Sequence, residues 1–395
     1  MMRLIARLFF FMPSYDLPRY RSWFPVLETN TTWLNHASIS PISSRVHAAV
    51  ETYMRGRMTG DIDVYPSAQR SVERTKQNLG RLINAAPQRI GFVANTSEGL
   101  NILANGIDWK AGDRILLNDI EFPTNVVPFL NCKRFGVEID FVRSVRGEIR
   151  TEDIERMITP RTRLLSISFV QFLSGFKADL RTIGSLCKKH KIIFCVDSIQ
   201  GLGASPLDVA EAQIDFLSNG GNKWLMGMMG LGFMYLTEEL QARITQAHIG
   251  WTSNRNFFGD FFTYRMDPDP SARRYENGTQ NYCAIAALEE STSTLLEVGI
   301  DRIEVHLRGL TNALIGICDE FGFDCVTPRE HEKRAGIVSF TCPETEEAFA
   351  ELTRARVMVS MRERMLRVAP HFYNTLDDIG ALRDVLARRR ATGNA

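Results

Sequence analysis

The chain has 395 residues, enough for two cores, and its 44% hydrophobic and 24% charged content excludes a disordered polymer. Its 47 basic residues almost cancel 46 acidic ones, so no overall field draws in nucleic acid or an acidic membrane surface, and neither is an expected partner. Seven scattered cysteines (Cys132, Cys187, Cys195, Cys283, Cys318, Cys325, Cys342) form no C-x-x-C pair and read as reduced core thiols of a cytoplasmic protein.

The first residues, MMRLIARLFFFMPSYD, carry two arginines and an apolar patch. The patch is too short to span a membrane and lacks a small-residue cleavage site, so a translation start at Met12 explains it at least as well as a targeting peptide. From about residue 90, apolar runs alternate with helix-length segments: RIGFVA, a helical run from Ser97, DRILLND, VEIDFV, RLLSISFV, KIIFCVD, IDFLSN and GLGFMYL. Strands rich in Val, Ile, Phe and Leu spaced in this way predict βα units around a mostly parallel sheet. The large α/β domain is expected over 30–255. After it come an aromatic, Pro-containing loop, a long helical stretch from Tyr282 to Phe321, and short strands in GIVSF and MLRVA. These predict a smaller α+β domain over 256–395, packed with residues 13–29.

Ligands of such sheets bind beyond the carboxyl ends of the strands, which directs attention to Thr96, Ser97, Glu121, Phe122, Gln171, Asp197, Gln200 and Lys223. Lysine is commonly a solvated surface charge. Lys223, however, lies between a Gly-Gly turn and the apolar segment headed by Trp224, surroundings that favour a neutral amine able to form a Schiff base. Asp197 ends a buried strand 26 residues earlier and is expected to hold the pyridine nitrogen of pyridoxal 5′-phosphate (PLP), although capping the next helix is the commoner task of such an Asp. In ANTSEGLN, residues 94 to 101, hydroxyl residues open a helix whose free N–H groups and dipole suit a phosphate, with Thr96 and Ser97 assisting. Arg367 is a candidate for gripping a substrate carboxylate. His36 either shuttles protons at the substrate or hydrogen-bonds in the core.

Taken in order, VDSIQGLGASPLDV, GGNKWLMGMMGLGFMYL, RRYENGTQNY and LRVAPHFYNT resemble the class V aminotransferase family of fold-type I PLP enzymes, which includes cysteine desulfurases and isopenicillin N epimerase-like proteins. The resemblance spans about residues 30 to 380. It implies that Lys223 carries PLP, that Asp197 partners the pyridine nitrogen, and that Gln200 donates to the ring's phenolic oxygen. Thr96 and Ser97 match phosphate contacts, and Phe122 stands where many members stack a histidine on the ring. Thr279 matches a residue that reaches the neighbouring subunit's cofactor phosphate, implying a homodimer with shared sites, and Arg367 matches the substrate-carboxylate arginine. The Gly250-Trp251 pair fits a loop near the site.

Three positions depart from the family pattern. Asn222 replaces the usual histidine before the lysine, Gly220 a phosphate-binding serine, and Phe172 an asparagine, which leaves Gln171 as the neighbouring polar contact. No cysteine lies between Cys342 and Arg367, so the nucleophile that desulfurases use to take sulfur is not expected. The resemblance implies an enzyme acting on a small amino acid or related amine. Transamination is the first expectation, with epimerisation or β-elimination next and a PLP-fold binding protein without turnover as the competing class.

Overall fold

The computed structural model describes residues 15–61, 66–259 and 261–393; the suggested start at Met12 lies outside them. Thirteen strands are described: β1 (Thr32–Trp33), β2 (Ile90–Val93), β3 (Arg114–Asn118), β4 (Glu138–Val142), β5 (Thr162–Ser168), β6 (Ile193–Asp197), β7 (Phe216–Gly220), β8 (Gly232–Leu236), β9 (Asp324–Cys325), β10 (Val338–Thr341), β11 (Val357–Met358), β12 (Ser360–Arg362) and β13 (Met365–Val368). Seven of them form one sheet in the order β2-β8-β7-β6-β5-β3-β4. Only β8 runs antiparallel to its neighbours β2 and β7. This is the mostly parallel α/β sheet that the alternating apolar runs predict.

The apolar runs in the sequence became strands because the sheet is covered on both faces. Every residue of β6, β7 and β8 is buried, which selects continuous Val, Ile, Phe and Leu rather than alternation. The carboxyl ends of the adjacent parallel strands β6 and β7 deliver Asp197 and the Gly220-Gly221 turn to one edge of the sheet.

A second sheet, ordered β12-β13-β10-β9, lies later in the chain, and β1 pairs in parallel with β11. The chain's first described residues are tied to its last ones: the Tyr15 hydroxyl donates to the Phe372 carbonyl at 2.7 Å, and Arg21 pairs with Asp378 at 2.8 Å. The long helical stretch expected from Tyr282 to Phe321 is two helices, Tyr282–Val298 and Ile300–Phe321. Gly299, at φ 90°, separates them in a conformation open to glycine and costly for other residues. Among the described residues no helix is long and apolar enough to cross a membrane.

Trp224 joins the two sheets. Its ring is fully buried, its Nε1 donates to Gln200 Oε1 at 2.9 Å, and its carbonyl accepts from His371 Nε2 at 3.0 Å. The ring lies against the backbone of Gly336, just before β10, where an added Cβ would fall 2.5 Å from Cη2 and 2.7 Å from Cζ3. Gly336→Ala is therefore expected to lower the unfolding free energy by about 1–3 kcal/mol through overpacking. Urea unfolding checks this; an unchanged midpoint and slope would contradict the packing described.

Candidate active site

Lys223 sits in a turn that begins where β7 ends. Gly221 donates its N–H to the Leu231 carbonyl at 2.9 Å, Gly227 to the Gly221 carbonyl at 2.8 Å, and Met226 to the Lys223 carbonyl at 2.9 Å. The buried Trp224 side chain fixes the other flank. The Lys223 Nζ lies 5.6 Å from the centre of the Phe122 ring. Removal from water lowers its pKa to about 8; the Asp197 charge opposes that shift, and those of Arg367 and Arg362 add to it.

Asp197 is buried at the end of β6 and caps no helix, since only turns follow it; its Oδ1 accepts the Ile199 N–H at 3.0 Å. Burial raises its pKa to about 7, against the Ile199 hydrogen bond, and the nearby Glu121 carboxylate raises it further. A carboxylate held this way is deficient in cations, so a protonated ring nitrogen placed beside it would be strongly held.

Helix Thr96–Gly106 starts after β2, and Asn95 rather than a hydroxyl residue caps it, its Oδ1 accepting the Glu98 N–H at 3.0 Å. The Thr96 and Ser97 hydroxyls are thereby freed from capping. Thr96 Oγ1 is buried without a partner, whereas Ser97 Oγ pairs with Thr124 Oγ1 at 3.0 Å. An added Cβ on Gly220 would fall 3.3 Å from Thr96 Oγ1, 3.5 Å from Asn222 Oδ1 and 2.9 Å from Ile199 Cδ1. The space of the family's serine is thus partly taken by Ile199, and Asn222 brings an amide to the same spot.

The sequence reading named Glu121 as a strand-end residue without giving it a task. It is buried and accepts from Asn118 Nδ2 at 2.6 Å, the Ser168 N–H at 2.7 Å, Gln171 Nε2 at 2.8 Å and the Ser168 hydroxyl. Gln171 is therefore held by Glu121, with its Oε1 buried and unpartnered. Asn118 at the end of β3, Ser168 at the end of β5 and Gln171 just beyond it converge on this one acid, a contact set far apart in sequence. Gln200 is buried between Trp224 and the Ala37 carbonyl, to which its Nε2 donates at 3.0 Å, leaving one amide hydrogen for a ligand.

Arg367, on β13, is 2% exposed, and among the described residues no carboxylate pairs with it. Its Nε donates to Ser360 Oγ at 3.0 Å, its Nη1 to the Phe172 carbonyl at 2.9 Å and its Nη2 to Ser38 Oγ at 2.9 Å. Burial lowers its pKa to about 10, and Arg362 lowers it further. The Phe172 and Phe122 rings meet edge to face at 5.2 Å, so aromatic surface lies between this guanidinium and Lys223.

His36 corrects the expectation of a substrate contact. Its ring is fully buried, Nδ1 donates to the Ala369 carbonyl at 2.9 Å, and Nε2 accepts from the Tyr373 hydroxyl at 3.0 Å. Burial holds it neutral, far below the usual histidine range, so it is a core hydrogen-bonding residue. Thr279 is exposed and lines a hollow of about 230 Å³ with Ala94, Glu98 and Gly230, outside the group formed by Lys223, Asp197 and Arg367. A cleft of about 860 Å³ lined by Arg150, Phe169, Lys177 and Asp208 contains none of these residues.

The arrangement fits PLP. The unpartnered Thr96 hydroxyl and the helix start suit its phosphate, the cation-deficient Asp197 its ring nitrogen, Phe122 its ring face, and the Lys223 amine its aldehyde carbon.

Comparison with known proteins agrees. A probable cysteine desulfurase of Pyrococcus abyssi is 27% identical over 86% of this chain and 89% of its own. Isopenicillin N epimerase of Streptomyces clavuligerus is 27% identical over 79% of this chain and 83% of its own. The solved cysteine desulfurase of Thermococcus onnurineus superposes with a TM-score of 0.87 at 24% identity, covering 95% of this chain and 98% of that one. The family model for Aminotransferase class-V matches residues 32–382. The chain therefore belongs to the class-V aminotransferase family and takes PLP as its cofactor.

Proposed function

We propose that the protein is an aminotransferase acting on an amino acid or a closely related amine. The observation that carries this reading is Arg367: a buried guanidinium spends its donors on neutral oxygens and faces the Lys223 neighbourhood without a carboxylate of its own. Supplying that carboxylate from an amino-acid substrate satisfies it.

When bound, PLP supplies an electron sink for the charge left on the substrate's Cα. Lys223 would hold the cofactor covalently and, when free, would take the Cα proton and deliver it to the cofactor's aldehyde carbon rather than back to Cα; an amine with a pKa of about 8 suits that transfer. Asp197 holds a proton at the ring nitrogen. Thr96, Ser97 and Asn222 bind the phosphate, Gln200 gives its remaining N–H to the phenolic oxygen, Phe122 covers one ring face and Gln171 contributes its free carbonyl. Thr279, which lies outside the group formed by Lys223, Asp197 and Arg367, is assigned by the family resemblance to the cofactor phosphate of a second copy, and on that reading the protein is a homodimer.

Transamination needs no group beyond these. A desulfurase needs a cysteine on a loop before Arg367. Here β12 and β13 are joined by the two-residue turn Glu363-Arg364, both at positive φ, which carries no thiol, and Cys342, in the segment after β10, is half-buried with its pKa raised by burial, which weighs against that role. The epimerase relative makes reprotonation at Cα the second reading.

The test divides purified, PLP-loaded protein: one portion is reduced with borohydride and its labelled peptide mapped, and the other, left unreduced, is challenged with amino donors. A pyridoxyl label on Lys223 and release of one keto acid per site are expected. Racemisation without keto acid, or sulfide and alanine from cysteine, would overturn the transfer reaction. Arg367→Lys, which keeps the charge and loses the fork, is expected to raise KM for the donor about 10- to 100-fold, since a charged hydrogen bond contributes roughly 1.5–3 kcal/mol. An unchanged KM would remove Arg367 from the carboxylate.

A further inference from the structure

The end of the β12–β13 hairpin carries a second arginine. In its register Ser360 lies opposite Arg367, and Arg362 opposite Met365. Residues directly opposite share a face of an antiparallel pair, and residues two apart on one strand share it too. Ser360 faces the cleft, because its Oγ accepts from Arg367 Nε. Arg362 therefore stands on the same face, diagonal to Arg367, at a spacing of roughly 7–8 Å between such positions.

Arg362 is exposed and donates to the carbonyl of its neighbour Met361 at 2.8 Å; among the described residues no carboxylate pairs with it. Its charge lowers the pKa of both Lys223 and Arg367, so it is electrostatically part of the site. The acids nearby are committed. Asp197 lies beneath Lys223, and Glu121 is enclosed by four donors. Two arginines thus face one cleft, and among the described residues no acid pairs with either.

We infer that the substrate carries a second anionic group, held by Arg362 while Arg367 holds the α-carboxylate. The diagonal spacing suits a short dicarboxylic amino acid such as aspartate or glutamate, or a sulfinate counterpart. This rests on the reading of the cleft as an amino-acid site, and its test separates the two.

The holoenzyme is assayed with aspartate, glutamate, cysteine sulfinate and alanine, and the binding of succinate and propionate is measured by calorimetry without turnover. The wild type is expected to prefer the dianionic donors. Arg362→Gln should reduce that preference in kcat/KM about 10- to 100-fold, through KM, and weaken succinate binding by a similar factor, with Arg362→Lys between the two. Arg364→Gln, which removes the same charge from the adjoining turn, should leave the preference intact. Preference for alanine, an unchanged ratio in Arg362→Gln, or an equal loss in Arg364→Gln would overturn the inference. If no donor is turned over while succinate binding still requires Arg362, the anion subsite stands and the aminotransferase reading falls.

Discussion

The site depends on a lysine and an aspartate withdrawn from water at the ends of two adjacent parallel strands. Taking either charge out of water alone costs several kcal/mol, and their mutual attraction offsets only part of that. The resulting pKa values, about 8 for Lys223 and about 7 for Asp197, express the conflict: each group is pushed toward neutrality by burial and pulled back by the other. The rest of the fold keeps the conflict from relaxing. Strands β6 and β7 are buried throughout, the Gly221–Gly227 turn closes on its own carbonyls, and Trp224 is locked between Gln200, His371 and Gly336. A ligand that brings a cation to Asp197 and a carbonyl carbon to Lys223 satisfies both groups at once.

The surrounding charges give the site its sign. Among the described residues no carboxylate pairs with Arg367 or Arg362, and Glu121 is saturated with donors, so the open side of the cleft is cationic. The chain as a whole is nearly neutral, with 47 basic and 46 acidic residues. The anion selectivity inferred above therefore rests on the local charge of β12, β13 and the Lys223 turn, which net charge does not reveal.

Much of the fold was legible because its physics is local. Runs such as KIIFCVD and RLLSISFV are continuous and β-branched, as strands covered on both faces require, and they became β6 and β5. Lys223 and Asp197, each ambiguous alone in the sequence, both lie withdrawn from water at the ends of adjacent strands, where their charges interact. What was missed depends on contacts distant in sequence. Asn95 rather than Thr96 caps its helix, His36 is enclosed by Ala369 and Tyr373, and Glu121 is defined by Asn118, Ser168 and Gln171. The break at Gly299 was readable from one glycine in a helical run, but a lone glycine is also tolerated inside helices. Arg362 became significant only through the register that sets it diagonal to Arg367.

Burial that brings the Lys223 pKa down to about 8 makes its amine far more available than an ordinary lysine's, and its titration in the PLP-free protein tests that most directly. Competitive acylation at a series of pH values, read by peptide mapping, reports the free-amine fraction at each lysine. Lys223 is predicted to half-titrate near pH 8, well below the ordinary lysine value of 10.5, and lower still in Asp197→Asn, which removes the one charge raising it. Half-titration at the ordinary value, indifferent to Asp197, would mean that the fold does not hold the pair as described.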